Sequence, residues 1–336
     1  MTGIVENVEC NEKKKSLFNG YSKQIDELYT FRDRYYLLNQ ETTNADDRLN
    51  DLNKKLNEIA HELENIETSQ FESKACHLIL IGKAFNVLPD FNQRAFDALT
   101  KAIKLDPRST EAWNYLGESY WKKRDFEMCR NCFERSRSIQ PNKMSLRGLA
   151  MVTRQLINVP ASKEQLIKQQ QQQQATSSDQ SNAVRQLLDE SIAFAKEAIK
   201  LDAKDGMSWY ILGNCYMAKF FSPFGQQQYQ QQQQQQQSAN LLKQALSAYE
   251  LALKDDQVAA LQSDLHFNKS MLAMYEENWA DALGSLAKAV QLDPYWTELR
   301  ENLLGLLSYL DQINESVRQR GKLKPKKFQQ LVESIN

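Results

Sequence analysis

WNYLGESYWKKRDFEMCRNCFERSRSIQP, residues 113–141, is the stretch from which the fold is read. With Trp113 as position 4 of a 34-residue unit, Leu116 falls at 7, Gly117 at 8 and Tyr120 at 11. Cys129 then falls at 20, Phe133 at 24, Ser136 at 27 and Pro141 at 32. These offsets follow the consensus W-x2-L-G-x2-Y…A-x3-F…P of a helix–turn–helix repeat, with Cys and Ser in place of two small alanines. The spacing has a mechanism. Trp113, Leu116 and Tyr120 make one stripe of a first helix, and Cys129, Phe133 and Ser136 one stripe of a second. Gly117 and the small residues let the two helices approach, and Pro141 stops the second.

The same frame extends in both directions. LILIGKAFNVLPDFNQRAFDALTKAIKLDP, residues 78–107, places Gly82, Phe85, Ala95, Leu99 and Ala102 near consensus positions with one extra turn residue. A third unit starts at SLRGLAMVTRQL and closes at Ala203, about 28 residues late, with Gln169 to Gln174 in the excess. A fourth opens with Trp209, Leu212, Gly213 and Tyr216 and resumes at Ala245, Tyr249 and Ala252. Its excess of about 20 residues holds Gln226 to Gln228 and Gln230 to Gln237. A fifth ends at Pro294, and a last helix over about 296–314 caps the array. The expectation is an all-α tetratricopeptide-repeat right-handed superhelix with an amino-terminal helical cap. Residues 1–20 read as a flexible tail and 21–74 as the cap, with a short coiled coil as the other reading. Residues 75–316 form the array, with polyglutamine loop inserts near 160–182 and 223–240. Residues 317–336 form a basic segment and terminal helix. The glutamine tracts fit either slippage tolerated in a surface loop or a self-associating element.

Composition narrows the function. Only 11 Gly and 7 Pro in 336 residues fit a chain that is nearly all helix, and the net charge of -1 gives no global pull towards nucleic acid. No apolar run reaches the ~18 residues of a membrane span, and no secretory signal is seen. Cys10, Cys76, Cys129, Cys132 and Cys215 therefore read as reduced thiols of the cytosol or nucleus. No phosphate-binding glycine motif occurs, and His61, His77 and His266 are far apart in sequence. His61 reads as solvated, and His77 and His266 as packing residues. Cys129-x2-Cys132 has half the spacing of a zinc site without a second half. The chain is expected to be no enzyme and to carry no metal or cofactor.

Binding is the expected activity. Positions 2, 5, 9 and 12 of each first helix face the concave groove of such an array. They are Glu111, Asn114, Glu118 and Trp121 in the second unit, and Arg154 lies near position 12 of the third. In the fourth they are Met207, Tyr210, Asn214 and Met217, and in the fifth Asp264, Phe267, Met271 and Met274. Glu298 takes position 2 of the last helix, so it and Asp264 occupy the same place in successive layers. Two carboxylates suit a cationic ligand group, and Arg154 an anionic one; solvated or internally paired charges are the other reading. A second candidate is RQRGKLKPKK, residues 318–327, with six basic residues in ten, among them Lys322, Lys324, Lys326 and Lys327. It could grip a phosphate backbone, act as a localisation signal, or be a solvated terminus.

LILIGKAFNVLPDF, EAWNYLGESYWKK, KMSLRGLAMVTRQL, DGMSWYILGNCYMAKFF, DLHFNKSMLAMYEENWADAL and LDPYW resemble the tetratricopeptide repeat protein 5 family, from about residue 21 to 336. These blocks fix NVLPDF, MVTRQL and SDLH, which the repeat consensus leaves free. The resemblance implies a groove that reads the first residues of nascent tubulin at the ribosome exit and then recruits an mRNA decay adaptor. It implies that Arg154 faces the peptide's acidic side chain, that Asp264 and Glu298 face its arginine, and that Lys324 and Lys326 stand where the family contacts the ribosome. It also implies a nuclear role as a co-regulator scaffold for histone acetyltransferase complexes, so cytoplasmic and nuclear locations are both expected. Family members continue into a carboxy-terminal β-barrel of the oligonucleotide-binding type. No strand pattern occurs before Asn336, so the resemblance covers the repeats and not that barrel.

Overall fold

The computed structural model describes residues 2–39, 44–157, 177–222 and 232–319, with Lys326 and Gln329 beyond. Among the described residues there are thirteen α-helices, two short 3-10 turns and no strand. α1 (Thr2–Leu38) and α2 (Ala45–Asn65) precede five pairs. These are α3 (Lys74–Phe85) with α4 (Gln93–Leu105), α5 (Thr110–Lys122) with α6 (Phe126–Ile139), and α7 (Lys143–Leu156) with α8 (Ser177–Leu201). The others are α9 (Gly206–Phe221) with α10 (Gln232–Asp255) and α11 (Ser263–Tyr275) with α12 (Trp279–Leu292); α13 (Thr297–Gln319) follows. The chain divides into two compact units, Met1–Leu261 and Gln262–Asn336.

Side chains placed before many of the helices set their starts. Ser73, Asn92, Ser109, Asp125, Asn142 and Asp205 each accept a backbone N–H from the first turn of the helix that follows. Each such cap contributes about 0.5–2 kcal/mol. In the second unit Asn278 does the same for α12. The turns inside the α5/α6 and α11/α12 pairs hold Arg124 (φ 61) and Glu277 (φ 58), both left-handed without being glycine. They fall at the same place in the repeat, so the tight turn outweighs the local strain, about 1–2 kcal/mol per residue.

Within the first unit the pairs lock by exchange of small for large. The Phe133 ring of α6 fills the space over Gly117 of α5 and Gly148 of α7, where an added Cβ would lie 2.9 and 2.5 Å from the ring. Leu99 uses Gly82 in the same way, and Tyr249 uses Gly213. Each pair also packs on the next, α4 on α5, α6 on α7 and α8 on α9. At the start of α9 the space is tighter still. A Cβ on Gly206 would lie 2.3 Å from the Asp256 Cβ and 2.6 Å from the Ala252 carbonyl oxygen. Gly206→Ala gains up to about 1 kcal/mol of helix propensity, but overpacking against backbone costs about 1–3 kcal/mol. A net loss of stability is expected in urea titration, and a gain would contradict this packing.

The cap joins the array rather than standing apart. Ile25 and Leu28 of α1 and Leu52, Leu56 and Leu63 of α2 share one core with Leu80, Ala84 and Phe85 of α3. The expected flexible tail is corrected: residues 2–20 are helical, as the first half of α1, and Leu17 and Phe18 pack on this core. The expected insert loops are partly corrected. Gln232 to Gln237 continue α10 amino-terminally as helix, as glutamine's helix propensity allows. Gln169 to Gln174, Gln226 to Gln228, Gln230 and Gln231 lie outside the described residues.

Candidate functional site

The expected binding residues fall in both units. Arg154 is in the last turn of α7 and half-buried. Its charge reaches the buried Cys215 thiol of α9, which burial pushes up and Arg154 draws down. Among the described residues no carboxylate pairs with Arg154. Its α7 neighbour Arg147 is placed differently, 3.3 Å from the Asp205 carboxylate.

Tyr210 and Asn214 share the first unit but serve a different purpose from the one expected. They are 5% and 6% exposed. The Tyr249 hydroxyl of α10 donates to Asn214 Oδ1 at 2.7 Å, and its ring centre is 6.4 Å from that of Tyr210. The Tyr249 ring crosses Gly213, so it reaches past the usual helix seam and engages the next residue. Groove geometry assigned these two side chains to a ligand; in the structure both are buried and contact Tyr249 within the α9/α10 pair.

Asp264 is the second residue of α11 and Glu298 the second of α13, both in the second unit. Phe267 lies one turn after Asp264, and its ring meets that of Trp296 edge-on at 5.6 Å. Trp296 stands two residues before Glu298. The aromatic contact therefore joins the two helix starts that carry the acids. Glu298 is exposed, and its carboxylate has no hydrogen bond or ion pair among the described residues; only its backbone oxygen is engaged, by Asn302 at 2.7 Å. Lys326 is exposed, while Lys322, Lys324 and Lys327 lie outside the described residues.

A polar cluster in the first unit escaped the repeat reading. Lys83 of α3 is only 5% exposed. Its ammonium donates to Ser22 at 2.9 Å and lies 2.8 Å from the Asp26 carboxylate, both on α1. The Tyr29 hydroxyl donates to the Lys83 carbonyl at 3.0 Å, and Arg32 donates to the Val87 carbonyl at 3.2 Å. These α1 groups approach Glu118 of α5. Burial raises the Glu118 carboxyl, while Lys122, Arg32, Arg147 and Lys83 pull it down. Glu118 is half-buried beside these cations. The one signal in the sequence was a lysine inside the apolar run LILIGKAF.

Lys122 closes this cluster. Its ammonium donates to the Asn86 carbonyl, and to that of Leu88 at 2.6 Å, at the end of α3. Burial lowers it from 10.5 to about 8, with Arg32 adding to the shift and Glu118 and Asp90 opposing it. A folded value below the unfolded one destabilises fully below pH 8, and the effect disappears as pH rises towards 10.5. Competitive acetylation read by mass spectrometry should give a Lys122 midpoint near pH 8. A midpoint near 10.5 would contradict this burial.

Cys129, Cys132 and His77 are packing groups, while His61 is exposed. Cys129 and Cys132 are buried, and burial raises both thiols, which keeps them protonated at neutral pH. His77 stacks on Phe71 with centres 4.7 Å apart and bonds the Leu63 carbonyl at 2.7 Å. Among the described residues no group of three or more His, Cys, Asp or Glu could hold a metal ion, and no helix is long and apolar enough to cross a membrane.

Sequence comparison with known proteins agrees with this architecture. Residues 110–143 match the tetratricopeptide repeat model. The chain is 36% identical over 327 residues to human tetratricopeptide repeat protein 5, covering 96% of this chain and 66% of that protein. It is 35% identical to the mouse protein of that name, with the same coverage. The chain thus spans about two-thirds of the length of these curated relatives. Among solved structures, a thermophilic tetratricopeptide repeat protein of Thermus thermophilus is similar, with a TM-score of 0.49 and 14% identity over 69% of this chain and 98% of that one.

Proposed function

Over the 66% of those relatives' length that it spans, the chain belongs to the tetratricopeptide repeat protein 5 family, and from that premise we propose that this repeat adaptor reads the amino-terminal peptide of nascent tubulin on the ribosome. In this reading Arg154 takes the glutamate of a Met-Arg-Glu-Ile-like peptide, and Asp264 and Glu298 take its arginine. The basic run 318–327 docks on ribosomal RNA. A four-residue ligand is small, so ribosome docking raises its effective concentration. The loaded adaptor then recruits an mRNA decay adaptor, which places this activity in the cytoplasm.

One observation supports this reading above the rest. Arg154, half-buried in the last turn of α7, and Glu298, exposed in the first turn of α13, have no charge partner among the described residues. Arg147, on the same helix as Arg154, and Lys83 of α3 are by contrast paired. A half-buried charge left open, such as that of Arg154, suits a ligand group of opposite sign.

Capture of ribosomes stalled early in tubulin synthesis tests the proposal. The wild-type chain should retain them, and a scrambled tubulin amino-terminus should abolish retention. Equal retention of both nascent chains would overturn it. Retention of acetyltransferase subunits, with no response to the tubulin peptide, would instead favour a nuclear co-regulator scaffold.

A further inference from the structure

A second surface lies on α8, α9 and α10 of the first unit, lined by none of the residues assigned above. Here α9 forms the floor of a trough walled by α8 and α10, with a volume of about 530 Å³. Trp209 and Leu212 line the floor, and Ile199 and Leu251 the walls. Leu251 is 41% exposed. Lys196, Lys200 and Lys243 stand around it, and no carboxylate lines it.

The neighbouring trough shows what is missing. Between α6 and α8, Arg130 pairs with Glu190 at 2.8 Å and Arg137 with Glu197 at 3.0 Å. Those arginines follow the small positions Cys129 and Ser136, and those glutamates precede Ser191 and Ala198. One layer on, the residues after the small positions of α8 are Ile192 and Ile199. Those before the small positions Ala245 and Ala252 of α10 are Gln244 and Leu251. Both cross-trough ion pairs are replaced by uncharged side chains. Lys196, Lys200 and Lys243 have no ion pair among the described residues; Lys196 lies 5.8 Å over the Tyr216 ring.

We propose that this trough docks an acidic segment of a partner protein, with one aromatic or aliphatic side chain seated between Trp209 and Leu251 and flanking Asp or Glu residues paired with Lys196, Lys200 and Lys243. The open apolar strip supplies the anchor site, and the three lysines supply the charge that α6 and α8 satisfy internally one layer earlier. Arg154 does not line the trough.

The probe is a fluorescein-labelled peptide, Asp-Glu-Asp-Trp-Asp-Glu-Asp, added to the full chain with methyl-labelled isoleucine and leucine. Binding should shift the Ile199 and Leu251 methyl signals and weaken as salt is raised. The exposed-site variant Lys196→Glu/Lys243→Glu should lose about tenfold or more in affinity, while Arg154→Ala should bind as wild type. Replacing the peptide's Trp by Ala should also weaken it. No binding to the wild-type chain, or equal binding to the lysine variant, would overturn the proposal. So would oligouridylate that takes the same site while the peptide does not, because the ligand would then be a nucleic acid.

Discussion

Phe133→Ala is expected to remove about 3–5 kcal/mol from the stability of the first unit. The ring is 4% exposed and is covered on two sides by Gly117 and Gly148. Neither glycine has a side chain that could swing in, so the cavity stays open and the loss falls at the upper end of the range for aromatic truncation. Three helices share the ring, α5, α6 and α7. In a stacked array the interface between neighbouring repeats is a large part of each repeat's stability, so the damage should spread across two layers. Urea titration followed by circular dichroism reads the effect, with Met128→Ala on the exposed side of α6 as the control. A loss below about 1 kcal/mol would mean that the glycine-walled slot collapses or was never filled.

Arg154→Ala is expected to weaken binding of a tubulin amino-terminal peptide by about 2–5 kcal/mol, or roughly 30-fold to several thousand-fold. The range is wide because it depends on how dry the site becomes. Arg154 is already half-buried, which favours a large effect. Glu298→Ala should cost less, about 1 kcal/mol or below, because an exposed charge pair is screened. Neither change should alter stability much, since neither side chain has an internal ion pair to lose among the described residues. Fluorescence anisotropy together with thermal unfolding separates the two effects. A drop in melting temperature that matched the loss of binding would make Arg154 a structural residue.

The fold was legible because each repeat writes its packing into fixed offsets. Trp113 and Trp209 each set a frame, and the small-for-large exchange of Gly117 with Phe133 recurs with Gly213 and Tyr249. The first half of α1 was not legible, because a polar helix gains much of its stability from packing that only the folded chain supplies, here through Leu17 and Phe18. The candidate site was legible only as positions. Helix periodicity places Arg154, Asp264 and Glu298 on first-helix faces, but says nothing of what crosses to meet them. Tyr249 reaches over a glycine to claim Asn214, and α1 brings Arg32 and Asp26 towards Glu118 and Lys83. Both effects are contacts between different helices, which periodicity within one helix cannot show.

Reciprocal charge exchange tests the central claim most directly. The wild-type chain should bind Met-Arg-Glu-Ile and reject Met-Arg-Arg-Ile, while Arg154→Glu should reject the first and recover the second. That result would assign Arg154 to the glutamate of the peptide by chemistry rather than by position. If Arg154→Glu leaves Met-Arg-Glu-Ile binding unchanged, or if the wild-type chain does not distinguish the two peptides, the inner first-helix face is not the reader of this peptide.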